Sequence, residues 1–308
     1  MKKRTKKVAV VFAVTAFIAI AGIVVFMLWN AEQDIDTILN SEILKPYGFE
    51  IVRPDIQYYS FAAGARGIVR NVEVTLHVQG IYGSYYFTPG GWTDRRIAEL
   101  VLVSEDGIRF AKDFLGVELS RPLSFVFNVT EPDENHPIPI WGGGGAIDTS
   151  IFISMRARRL PALIVHEAVH AILQYVEWQS NFPTPPETSW RGGVNWLEEG
   201  LCDFIEFLFA SETEHSYRTN YGNRHLHTNA RGILRRGNYQ NASEFGSRYP
   251  QLMDTQTAAS FIYFLLEYHG SIEDFMQVFA DIYLMENVFG TSMEDMIVKW
   301  MAYIDEFR

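Results

Sequence analysis

Apolar and polar positions alternate through "VEVTLHV": Val72, Val74, Leu76 and Val78 share one side, and Glu73, Thr75 and His77 the other. A period of two predicts one half-buried strand. "PLSFVFNVT" predicts a second, and between the two, residues 93–115 read as a helix with Ile97, Leu100, Val101 and Phe110 among its apolar positions. "PIPIWGGGGAIDTSIFIS" reads as a glycine-rich loop running into a short strand. From about residue 158 the pattern becomes helical. "PALIVHEAVHAILQYVEW" opens with Pro161, which a first helical turn tolerates. "NFPTPPETSWRGG" is a loop by its Pro and Gly content, and "NWLEEGLCDFIEFLFA" is helical again. "TAASFIYFLLEYHG" is a further helix with Gly270 as its expected C-cap, and two more are expected near 272–287 and 292–306. The expectation is an α+β domain, with a sheet-rich lobe over 48–155, a mostly helical lobe over 158–308 and a cleft between them.

The first 30 residues stand apart. "MKKRTKK" precedes "VAVVFAVTAFIAIAGIVVFMLW", which is 22 residues without a charge. A run of that length can cross a bilayer as a helix, and the bases before it belong on the cytoplasmic side. A cleaved signal peptide would have a shorter apolar core of about 7–15 residues. The one Ala-x-Ala, Ala19 to Ala21, is followed by more apolar residues, where cleavage is disfavoured. Residues 1–30 are therefore expected to be a basic cytoplasmic tail and transmembrane anchor, with 31–308 outside the cytoplasm. The domain would be secreted if the segment were cleaved. "NAEQDIDTILNSEIL" then reads as a short helix or stalk.

Charge and cysteine narrow the chemistry. Net charge is -11, and residues 31–308 hold 21 bases against 37 acids. A surface that acidic argues against nucleic acid as a partner. The single cysteine, Cys202, excludes an intrachain disulfide and a thiolate metal cluster.

The chemistry-bearing motif is "HEAVH" inside the apolar helix at 161–178. On a helix, His166 and His170 share a face with Cβ atoms roughly 5–6 Å apart, close enough for both imidazoles to reach one Zn²⁺. Glu167 sits beside the first of them, placed to take a proton from water activated by the metal. The competing reading is a helix that merely carries two histidines. A catalytic zinc needs a third protein ligand and an open fourth position.

"NWLEEGLCDFIEF", on a helix of its own, begins 25 residues beyond His170. With "HEAVH" it resembles the gluzincin zinc metallopeptidases, particularly the peptidase MA-like group, whose third ligand is a glutamate within Trp-Leu-x-Glu-Gly. The resemblance covers roughly residues 110–275 in layout, with high specificity only in the two motifs. It implies a zincin-like fold and one Zn²⁺ per chain held by His166, His170 and Glu199. Glu198 takes the variable position, Glu167 is the general base, and the substrate is a peptide or protein. Asp203, four residues after Glu199, shares its helical face and is placed to accept the other N–H of a metal-bound histidine, which the resemblance implies is His166; the competing reading is a solvated helix acid. The competing readings are a zinc amide hydrolase on a non-protein substrate, such as cell wall, and a catalytically weak gluzincin-like module for binding or assembly.

Weaker signals accompany the motif. Residues 149–154 are a candidate sheet edge for pairing with an extended peptide. His225, His227, Tyr249 and Tyr263 are candidates for stabilising an oxyanion, none of them at the family's spacing. Cys202, within reach of the zinc face, reads as core, and Phe204, Phe207 and Phe209 read as packing.

Overall fold

The computed structural model describes residues 49–52, 57–63, 68–90, 92–128, 144–147, 150–154, 160–179, 196–212, 225–236 and 255–307. The expected anchor at 1–30, the stalk after it and the loop 181–193 lie outside them. Among the described residues, no helix is long and apolar enough to cross a membrane. The chain divides into two compact units, one of residues 1–49 with 91–100, the other of residues 50–90 with 101–308. The described part of the first unit is Phe49 and a helix start, where Thr93 Oγ1 accepts the Arg96 N–H at 3.3 Å.

The strands are β1 (Glu50–Val52), β2 (Gln57–Ala63), β3 (Ile68–Val74), β4 (Leu76–Gln79), β5 (Gly83–Phe87), β6 (Leu123–Asn128), β7 (Gly144–Ile147) and β8 (Ser150–Ser154). The helices are α1 (Asp94–Leu115), α2 (Leu160–Gln179), α3 (Trp196–Glu212), α4 (Leu226–Arg236), α5 (Thr255–Tyr268), α6 (Ile272–Ala280), α7 (Met285–Phe289) and α8 (Met293–Glu306), with a 3₁₀ turn at Ile282–Leu284. The class is α+β: a mixed six-stranded sheet in the order β1-β4-β5-β6-β8-β7, a separate β2-β3 ribbon, and helices. β5, β6 and β8 run parallel, and β7 closes back antiparallel on β8. Leu123, Phe125, Val126 and Phe127 of β6 and Ile151, Phe152 and Ile153 of β8 are all buried, as central parallel strands require. Tyr59 and Val72 of the ribbon pack on Val126 and Phe152.

Three expectations change. The strand expected over 72–78 is two strands, because the chain breaks at Thr75 and passes from the ribbon to the sheet. Thr75 N–H donates to the Phe87 carbonyl at 2.9 Å, and its hydroxyl donates to the same oxygen at 3.2 Å. The inside-outside alternation continues through the break, so periodicity alone does not reveal it. The candidate edge at 149–154 is not an edge: β8 lies between β6 and β7, and the terminal strand is β7, formed by the glycine-rich stretch read as loop. In the helical part, α4 was not anticipated, and the helix expected over 272–287 is α6, a 3₁₀ turn and α7. Gly270 has no left-handed backbone. It is needed for space, since a Cβ there would lie 2.6 Å from Phe289 Cε1.

The helix carrying "HEAVH" is central. Ala162 to Val169 are all buried, and α2 packs against β7, β8 and α3. Gly107 of α1 meets it so closely that a Cβ would lie 2.7 Å from Val165 Cγ2. A buried carboxyl elsewhere, Glu105 of α1, has a structural use: it accepts the N–H groups of Ile81, Tyr82 and Gly83 and the Tyr85 hydroxyl, holding the β4–β5 turn. On its other side α3 packs on α5 at Gly200, where a Cβ would sit 2.6 Å from Ala258 Cβ and 2.9 Å from its backbone carbon. Gly→Ala in a helix ordinarily stabilises by about 0.5–1 kcal/mol. Here Gly200→Ala is expected to destabilise, by about 1–3 kcal/mol, because backbone must yield. Thermal melting reads the sign directly, and a higher midpoint would refute the close approach.

Candidate metal centre

One turn of α2 separates His166 from His170, and their Nε2 atoms converge to 3.3 Å. Glu199, on the first turns of α3, meets both: its Oε2 is 3.3 Å from His166 Nε2 and its Oε1 is 3.6 Å from His170 Nε2. A tetrahedral ion with donors at about 2.0–2.1 Å holds any two of them about 3.3–3.4 Å apart. The His166–His170 and His166–Glu199 separations match those edges, and the other Glu199 oxygen lies slightly farther, 3.6 Å from His170 Nε2. The donor set, two imidazoles and a carboxylate, is of the type that binds zinc. The residues therefore fit a single Zn²⁺.

The other imidazole nitrogens point away from this triangle toward acids. His166 Nδ1 lies 3.0 Å from Asp203 Oδ1 and 3.6 Å from Glu206 Oε2, close enough for ion pairing though off the line of a straight hydrogen bond. His170 Nδ1 lies 2.7 Å from Glu198 Oε1. Backing of each imidazole by a carboxylate is the arrangement that orients metal-bound histidines. Asp203 and Glu206 are fully buried, Glu198 is nearly so, and Glu199 keeps 28% of its side chain exposed. Solvent reaches the cluster on the Glu199 side.

Four carboxyl groups around two imidazoles call for positive charge. Burial lowers the pKa of His166, but Asp203 and Glu199 outweigh it and hold the group well above the usual histidine range. His170 is raised in the same way, against burial, by Cys202, Glu198 and Glu199. Burial opposes ionisation of Glu199, yet the two imidazoles hold its carboxyl far below the usual range. Two protons or one divalent cation would satisfy the same need. Cys202 is fully buried, with Sγ within 4.8 Å of a nitrogen of each histidine. Burial pushes its thiol up to about 11, against the opposing pull of the His170 imidazole.

The structure thus brings His166, His170, Glu199 and Asp203 together, and buries Glu167 one residue from His166. The oxyanion candidates fall elsewhere. His225, His227 and Tyr263 stack in a ring cluster with Phe207, Tyr303 and Phe307. His227 Nδ1 is 2.8 Å from the Ser260 hydroxyl, and burial with His225 beside it pushes its imidazole down to about 3. Tyr249 lies outside the described residues. Phe204 and Phe209 pack edge-on against Phe114 and Phe110 of α1. Sequence reasoning missed Glu198 and Glu206. Glu206 carried a signal, since it stands seven residues after Glu199, two helical turns along the same face of an apolar helix.

No family model matches this chain, and no curated protein matches it. Among solved structures it is similar to an M1 zinc metallopeptidase from Deinococcus radiodurans, with 12% identity, 82% of this chain and 61% of that chain covered, and a TM-score of 0.41. A mutant of that protein bound to a Tyr-Ser-Ala substrate gives 12%, 82%, 60% and 0.43. An aminopeptidase N family protein from Idiomarina loihiensis gives 12%, 80%, 44% and 0.37. The chain spans about three-fifths of the Deinococcus protein's length. Backbone overlap of that extent leaves the chemistry to be read from the site's own atoms.

Proposed function

We propose that this chain is a zinc-dependent peptidase of gluzincin type, with His166, His170 and Glu199 holding the metal. The observation that supports it is the convergence of two imidazole Nε2 atoms, 3.3 Å apart, on one carboxylate, whose Oε2 lies 3.3 Å from His166 Nε2 and whose Oε1 lies 3.6 Å from His170 Nε2. Zn²⁺ held there supplies a Lewis acid that polarises a carbonyl and lowers the pKa of water toward about 7. The rest is the work of the chain. Glu167 accepts the proton of the attacking water and passes it to the leaving amine. Asp203, with Glu206 behind it, fixes the ring of His166. Glu199, the most exposed of the three ligands, faces the incoming substrate carbonyl in this reading. β7, the edge of the sheet among the described residues, offers its outer main chain to an extended peptide. Residues 1–30 anchor the domain to the cell membrane, with the domain on the outer side.

The test is metal content together with cleavage. Residues 31–308, purified without chelator, are expected to carry about one zinc per chain and to cut members of a mixed peptide library. Chelation should stop cleavage and added zinc should restore it. Zinc bound without peptide cleavage, but with release of amide fragments from cell wall, would move the reading to a non-protein amide. Protein that takes up no zinc when it is offered would end it.

A further inference from the structure

The contact between His170 Nδ1 and Glu198 Oε1, at 2.7 Å, is shorter than any other in the cluster, and both side chains are largely shielded from water. It joins the second imidazole to the residue immediately before Glu199. Neighbours on a helix diverge by about 100°, so Glu198 and Glu199 cannot face the same way. They do not: Glu198 meets Nδ1 of His170, and Glu199 meets Nε2 of the same ring, at 3.6 Å. We propose that Glu198 is a positioning residue for the metal, so that one Glu-Glu pair on α3 grips both nitrogens of one imidazole on α2. The inference rests on the zinc reading above and adds to it a residue that neither motif assigns.

The chemistry follows from what a neutral imidazole can do. It has one N–H and one bare nitrogen, and the partner of the first decides the second. Glu198 has only acceptor oxygens when ionised, so Nδ1 must keep the proton and donate it. Nε2 is then left with its lone pair turned toward Glu199 and the metal position. A carboxylate partner also makes the ring a stronger donor than an uncharged partner would. His166 has Asp203 beside its Nδ1 at 3.0 Å, off the line of a straight hydrogen bond. Each imidazole therefore has its own acid, drawn from opposite sides of the Glu199 position in the sequence. Glu198 is on the helix turn already anchored by Leu197 and Leu201, both buried, so its side chain is held in place by packing around it.

The experiment compares wild type, Glu198→Ala, Glu198→Gln and Glu199→Ala by chelator competition for Zn²⁺ at fixed pH. Circular dichroism verifies folding. Long-range nitrogen–proton NMR of the metal-free proteins, at an alkaline pH where the imidazole is neutral, reads the His170 tautomer. Glu198→Ala is expected to weaken zinc binding about 10–100-fold and to lose the uniform Nδ1–H tautomer of His170. Glu198→Gln, whose carbonyl still accepts Nδ1–H, should keep that tautomer and recover part of the affinity. A merely structural role would not give this ordered rescue. Equal zinc affinity in Glu198→Ala and wild type, with Glu199→Ala much weaker, would overturn the inference and leave the zinc reading intact. A wild type that binds no zinc would overturn both. Should Glu198→Ala not fold, Glu198→Gln decides alone: unchanged affinity counts against the inference, and reduced affinity with the tautomer kept supports it.

Discussion

Glu167→Gln is expected to lower kcat on any cleaved peptide by about 10²–10⁴-fold while one zinc per chain remains bound. Glutamine copies the shape of glutamate and fills the same buried space on α2, so packing gives no reason for the fold to change. It cannot accept a proton, and accepting one is the only part assigned to Glu167. The metal triangle is made by His166, His170 and Glu199, so zinc content should be untouched. The measurement pairs kcat with metal analysis on the same preparation. Loss of zinc along with activity would make Glu167 a ligand or a scaffold. Activity that survives with zinc in place would mean the base is another residue, and the assignment would fail.

The two motifs were easier to read than the fold around them. "HEAVH" puts two imidazoles on one helical face, whereas the choice of Glu199 within "WLEEG" comes from the family resemblance, and α2 and α3 are long, apolar and easy to place. Asp203 could be read from its four-residue offset. Glu198 could not. Its role depends on where a ring nitrogen 28 residues earlier points, which no periodicity contains. The sheet was less readable for a related reason. The alternation from Val72 to Val78 is indifferent to whether one ladder or two use it, and the change of partner at Thr75 is a tertiary event. β7 was hidden by its glycines, which read as a loop because they carry no apolar pattern. What gives Gly144 and Gly145 a strand is the pairing of their backbone with Ile153 and Phe152. His225, His227 and Tyr263 show what periodicity leaves out: tertiary packing gathers them into one aromatic cluster.

Removing the metal should destabilise the protein by an amount that grows with pH. In the metal-free protein, burial opposes the charging of His166 and His170, but their acid partners hold both pKa values well above the usual range. A histidine whose folded pKa is raised contributes its full stability below the unfolded value near 6.5 and loses it as pH rises through the folded value. Glu199 works at the other end. Its folded pKa is depressed, so its contribution is present above about 4.3 and lost only as pH falls far below that. Between about pH 4.5 and 6.5 the metal-free cluster is therefore satisfied by protons. The protons stay until pH rises through the folded values of the two histidines, and the cluster is then left with clustered carboxylates. Zinc needs both Nε2 atoms bare, so binding releases those protons and tightens as pH rises. At zinc about 1,000 times its Kd, the bound form gains about 4 kcal/mol, or roughly 10 °C in Tm for a domain of this size. The gap in Tm between zinc-loaded and chelated protein is thus expected to be near zero at about pH 5 and to approach about 10 °C once pH has risen through the folded values of the two histidines. A gap that is constant across that range would mean the ion is held by groups that do not titrate there, and His166 and His170 would lose their place as its ligands.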